Sequence, residues 1–212
     1  MDEPQRPPRD DQGIAAWQPV RMIDEFAKRY LHQELQWVRA ALVWKLDGLG
    51  EYDIRRPLTP TGTNLLGLVK HMATWEARYL GQVFNRPFPV PLPPWEDSDG
   101  SDLWVTERQS REQIIEFYQR ASAHSDDTIQ ALPVDAAGYV PWWPQPDVTL
   151  FSVMTHVLND TTRHAGHADI LREQLDGRTG VAAEQEEQND PTRREKRRAM
   201  IDRSAKAATG SS

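Results

Sequence analysis

Three histidines and an aspartate able to hold a metal ion fall in one segment, MTHVLNDTTRHAGHADILREQL: His156, Asp160, His164 and His167. If that segment is helical, about 100° per residue places all four within roughly a quarter of the circumference. They border an apolar stripe of Leu150, Val153, Val157, Ala168, Leu171 and Leu175. Asp160 and His164 sit nearest the stripe, so they face the interior more directly than His156 or His167. An Asp/His pair at i,i+4 stacks its side chains on successive turns, a spacing that one metal ion can bridge. The ordinary alternative is an amphipathic helix with polar residues on its border, the usual fate of a single histidine there. Four metal-capable side chains on one flank weigh against it, but two ligands do not make a site. A third must come from another element.

The remaining histidines are His32, His71 and His124. His32 lies in the polar stretch LHQELQ, and His124 lies in ASAHSDD, where a solvated side chain is expected. His71 sits within GLVKHMATWEARYL, among apolar residues. Its helical phase is closer to Leu68 and Trp75 than to the Leu65, Val69, Met72 stripe, so phase alone makes it a flank residue. The chain has no cysteine, which excludes disulfides, thiolate zinc sites and cysteine nucleophiles together. Any metal must therefore sit on imidazole and carboxylate.

These residues need helices to position them, and the periodicity supplies four. The first runs from about Met22 to Leu46, with Met22, Phe26, Tyr30, Trp37, Val38, Ala41, Leu42 and Lys45 on its apolar face, and ends at Gly48 and Gly50. Thr63 is the expected N-cap of the second, about 64 to 84, whose stripe is Leu65, Val69, Met72, Glu76, Leu80 and Val83. Five prolines between Pro87 and Pro94 then break the pattern, leaving a crossover or a lid. Thr106 and Gln109 read as a capping box opening a third helix that reaches about Leu132, with Ile114, Ile115, Phe117, Tyr118, Ala121 and Ile129 inward. A second Pro/Trp-rich loop leads to the last helix, about 149 to 176, closed by Gly177. No segment reads as a strand. The fold expected is all-α, a four-helix bundle over residues 19–178 with long Pro/Trp-rich connections.

Composition agrees. Hydrophobic residues make up 38% and charged residues 27%, which suits one compact unit flanked by polar segments. Residues 1–18 are proline-rich and charged and are expected to be disordered. Residues 179–212 form a charged tail, acidic and then basic, in which Asn189, Asp190 and Pro191 could start a short, weakly packed helix. The N-terminal MDEPQRPPRDDQG has no apolar run and no stretch is long enough to span a bilayer, so a cytoplasmic protein without a membrane partner is expected. A formal net charge of −7 argues against general nucleic-acid binding.

The runs GLGEYDIRRPLTPTGTNLLGLVKHMATWEARYL and, far downstream, HVLNDTTRHAGHADILREQLDG resemble the DinB-like putative metalloenzyme superfamily, over about residues 22 to 177. The resemblance implies an up-down-down-up bundle holding a divalent ion, zinc or nickel in most members. Its ligands would be one histidine from the second helix and two side chains at i,i+4 from the last; in this chain these are His71, Asp160 and His164. Many members carry a histidine where this chain has Asp160. A carboxylate there is similar to the branch of mycothiol-dependent maleylpyruvate isomerase. The resemblance also implies metal-dependent S-transferases and isomerases that use a low-molecular-weight thiol such as mycothiol on a small electrophile, some of them homodimers. His167 would then be an outer-shell partner or substitute ligand. Trp75 would wall the pocket or pack in the core. Glu76, odd on an apolar stripe unless paired, would be satisfied by Arg163 or Arg172, and is the one candidate base for a hydrolytic alternative. A binding module with a structural metal is the non-catalytic alternative.

Overall fold

In the computed structural model, residues 19–95, 100–182 and 190–209 are described. Four long helices carry the core: α1 (Pro19–Trp44), α3 (Leu65–Tyr79), α4 (Arg111–Ala131) and α5 (Leu150–Asp176). A short α2 (Glu51–Arg55) follows α1, and a largely exposed α6 (Pro191–Thr209) follows α5. Two three-residue strands, β1 (Ala137–Tyr139) and β2 (Asp147–Thr149), pair antiparallel between α4 and α5. The all-α fold is as the sequence implies. The strands and α2 are too short to show periodicity: α2 buries Ile54 alone.

Side-chain pairings fix the helix directions. His71 faces His164 and Tyr79 faces His156, so α3 and α5 are antiparallel. Arg39 meets Asp126 while the Leu46 carbonyl meets Arg111, so α1 and α4 are antiparallel. Trp37 shares a groove with Leu158 and Thr162, and Lys45 pairs with Asp169, so α1 and α5 run parallel. It follows that α3 and α4 are parallel, the up-down-down-up order. Two parallel neighbours cannot be joined by a tight turn, which accounts for the long proline-rich crossover between them.

Local chemistry sets the helix ends. Asn64, not Thr63, caps α3, accepting from the Gly67 N–H at 2.8 Å. The capping box of α4 is Ser110 with Gln113. The upstream Thr106/Gln109 pattern does form its bond, at 3.3 Å, but as a turn ahead of the helix. Gly177 closes α5 at φ +75°, a conformation costly for residues with a Cβ. Along α1 and the turn that follows, Leu35, Arg39, Ala41, Leu42, Lys45 and Leu46 are buried, whereas Phe26, Tyr30 and Trp37 are exposed. The three-and-four spacing fits both stripes, which lie on roughly opposite faces of the helix, and packing against α5 selects the first.

Between Asn64 and Leu80 all residues are buried except Lys70, His71 and Trp75. That is why phase left His71 ambiguous: a helix covered on nearly every side has no single inward direction. No helix among the described residues is long and apolar enough to cross a membrane.

Candidate metal centre

α3 and α5 bring His71, Asp160 and His164 together, each half-buried, with one ligand-type atom from each lying within 4.8 Å of the others. The rings of His71 and His164 meet edge to face at 4.8 Å between centroids. His164 Nε2 lies 3.6 Å from Asp160 Oδ1. Burial, with the neighbouring His71, pushes His164 down to about 4, against the pull of Asp160. At neutral pH it is therefore an uncharged imidazole with a lone pair to give, and its buried Nδ1 has no hydrogen-bond partner. Two imidazoles and a carboxylate, one nitrogen orphaned, fit a divalent ion and leave coordination positions open.

His71 is held from behind. Its Nδ1 donates to Asp102 Oδ2 at 2.6 Å, and Trp75 Nε1 donates to the same oxygen at 2.9 Å. Burial alone would raise the Asp102 carboxyl, but the bonds from His71 and Trp75 outweigh it and hold it below the usual range. Asp102 lies in a single 3-10 turn, Ser101–Leu103, within the crossover. The sequence offered no signal for it beyond a carboxylate in a loop.

One wall of the site is aromatic. Trp75 packs on Tyr79 and Trp142, and Trp95 reaches Trp142 from the crossover. Tyr79 Oη accepts from the indoles of Trp142 and Trp143 at 3.1 and 3.2 Å. The ring of His156 lies 4.7 Å from both Tyr79 and Trp143, joining this wall and not the ligand cluster. On the other side a cavity of about 490 Å³ is lined by Thr61, Thr63, Asn64, Trp104, His164 and His167. His167 is exposed, with its ring 5.3 Å from that of His164. A larger cavity, about 820 Å³, lies away from the ligands between α1 and α4.

The other sequence candidates lie elsewhere. Glu76 is fully buried and paired with Arg39, at 2.6 and 3.1 Å, and with neither Arg163 nor Arg172. Five residues at about 100° each turn it some 140° from His71, toward α1. Arg163 is exposed, and Arg172 is committed to Asp176 and the Lys45 carbonyl. His124 is half-buried, bonded to the Arg86 carbonyl at 2.7 Å, and His32 pairs with Asp126 at 2.9 Å.

Residues 30–177 match the mycothiol-S-transferase family. The chain belongs to that family. The match spans the core from within α1 to the Gly177 cap and includes all three candidate ligands, leaving α6 outside. The DinB-like resemblance of the two sequence runs is thereby established. A search of curated proteins found no match to the chain.

Proposed function

We propose that this mycothiol-S-transferase family member is a metal-dependent enzyme that joins a low-molecular-weight thiol of the mycothiol kind to a small electrophile, or isomerises the adduct. The carrying observation is the cluster of His71, Asp160 and His164 beside a cavity in a chain of that family. A divalent ion held there, zinc or nickel, would supply Lewis acidity that keeps a thiol ionised near neutral pH. The chain contributes no sulfur nucleophile, having no cysteine, so the reacting sulfur comes from the cosubstrate. That chemistry suits a reducing cytoplasm.

The chain's own groups have separable tasks. His164, neutral at pH 7, offers a lone pair without competition from a proton. Asp160 would supply one negative charge against a dication's two, leaving the other to an ionised thiol. Trp75, Tyr79 and Trp142 make a dry wall on which an apolar electrophile can rest, and the hydroxyls of Thr61 and Thr63 line the opposite cavity. In the transfer, sulfur forms a bond to carbon as the leaving group departs with its electron pair. The thiol proton passes to solvent.

The hydrolytic alternative loses its base, because Glu76 is sealed in the core against Arg39. The deciding experiment incubates metal-loaded protein with mycothiol and monochlorobimane. Conjugation above the metal-free and His164→Ala controls is expected; equal rates would overturn the proposal. Loss of thermal stability in His164→Ala, with no turnover in the parent protein, would point to a structural metal in a binding module.

A further inference from the structure

The strip of α3 left uncovered by the other helices is narrow, and one short piece of chain lies along it. Lys70 Nζ donates to the carbonyls of Ser101 and Trp104 at 2.7 and 2.9 Å. His71 and Trp75 both donate to Asp102 Oδ2. Asn64 Nδ2 donates to the Leu103 carbonyl at 3.1 Å. A Cβ added at Gly67 would come within 1.9 Å of that same carbonyl oxygen, so the absence of a side chain at 67 lets the segment lie this close. Residues 101–104 are thus tied to α3 over about three of its turns, from the Asn64 cap to Trp75. The three side chains of α3 that are not buried are the three this strap engages.

We propose that Asp102 is the positioning residue of the metal centre, fixing the His71 ring and its tautomer so that Nε2 is the nitrogen offered to the ion. This rests on the metal reading above. A histidine that donates Nδ1–H to a carboxylate keeps its Nε2 lone pair free, and the carboxylate's charge makes that nitrogen a stronger ligand. The indole of Trp75 meets the same oxygen and holds the carboxylate in place from a second direction. The bonds from Lys70 and Asn64 to the strap carbonyls fix the backbone that carries it. Asp102 is not one of the three candidate ligands and does not line the cavity beside His164; it reaches the site through its bond to His71.

The test uses the full chain stripped of metal, as parent, Asp102→Ala, Asp102→Asn, Trp75→Phe and His71→Ala. Zinc affinity is measured by chelator competition, and the His71 tautomer by nitrogen-15 NMR of the metal-free protein, with His71→Ala assigning the signal. Asp102→Ala is expected to bind zinc about 10–100-fold more weakly and to show a tautomer mixture where the parent shows Nδ1–H alone. Asp102→Asn keeps the shape and an acceptor, so its loss should be smaller, and it remains the deciding variant if Asp102→Ala does not fold. Trp75→Phe should lie within a few-fold of the parent. Parental affinity and an unchanged tautomer in both Asp102 variants would overturn the proposal. A parent that binds no zinc would instead remove the metal reading, and the tautomer measurement would still decide whether Asp102 governs His71.

Discussion

Some single side chains in this fold face the candidate ion site, and others balance buried charge. Replacing His71, Asp160 or His164 by alanine should each lower the metal content of purified protein to a small fraction of the parent's, measured by elemental analysis; unchanged content in all three would remove the centre. The Arg39–Glu76 pair is a different case, because it lies almost wholly out of water. Burial pushes the Glu76 carboxyl up, and Arg39 opposes that. Arg39→Met would strand the carboxylate and should cost about 3–5 kcal/mol in urea unfolding, whereas Arg39→Met with Glu76→Leu should recover most of it. The site was unevenly legible at this scale. Asp160 and His164 could be read because both lie on one helix, where spacing is geometry. His71 entered by resemblance, and Asp102 could not be read, since a loop has no period and its partners are 31 and 27 residues away. The partner of Glu76 was misassigned for the same reason: phase tells which way a side chain points, but not which helix it meets.

Elements were legible in proportion to their length. α5 could be bounded because 27 residues of regular pattern run up to a glycine stop, whereas its Thr149 cap emerges only in the structure. The hairpin β1–β2, three residues per strand, carries too few side chains to alternate visibly. The crossover was recognisable as a break, but what it does depends on Gly67, whose meaning appears only when Leu103 lies against it. Gly67→Ala is therefore expected to be harmful despite alanine's better helix propensity. The backbone overlap must be relieved by moving the strap, at about 1–3 kcal/mol. Zinc affinity should fall along with the melting temperature. A stabilised Gly67→Ala protein with parental affinity would show that the strap is not held where it lies.

For the molecule as a whole, acid sensitivity and the tail give two further checks. Burial alone would raise Asp126, but His32 and Arg39 outweigh it and hold the carboxyl at about 2, below the value near 4 expected of an unfolded chain. The folded state therefore favours the ionised form. That contribution is complete above about pH 4 and is lost as pH falls toward 2. Because the carboxylate is partly exposed, it is worth about 1 kcal/mol after screening. Asp126→Asn should melt a few degrees below the parent at pH 7, by roughly 2–4 °C, with the gap closing between pH 4 and 2. Helix α6 is exposed along nearly its whole length and touches α5 through Arg194 at the Gly177 carbonyl, so ending the chain at Asp190 should leave the melting temperature almost unchanged. The parallel pairing of α1 with α5 bears on how the chain is made. α1 packs chiefly against a helix that is synthesised more than a hundred residues later, a separation that slows folding. Until then Leu35, Leu42 and Leu46 have no α5 to cover them. Nascent chains arrested before residue 150 should thus bind a chaperone such as trigger factor and lose it once Asp176 has cleared the exit tunnel.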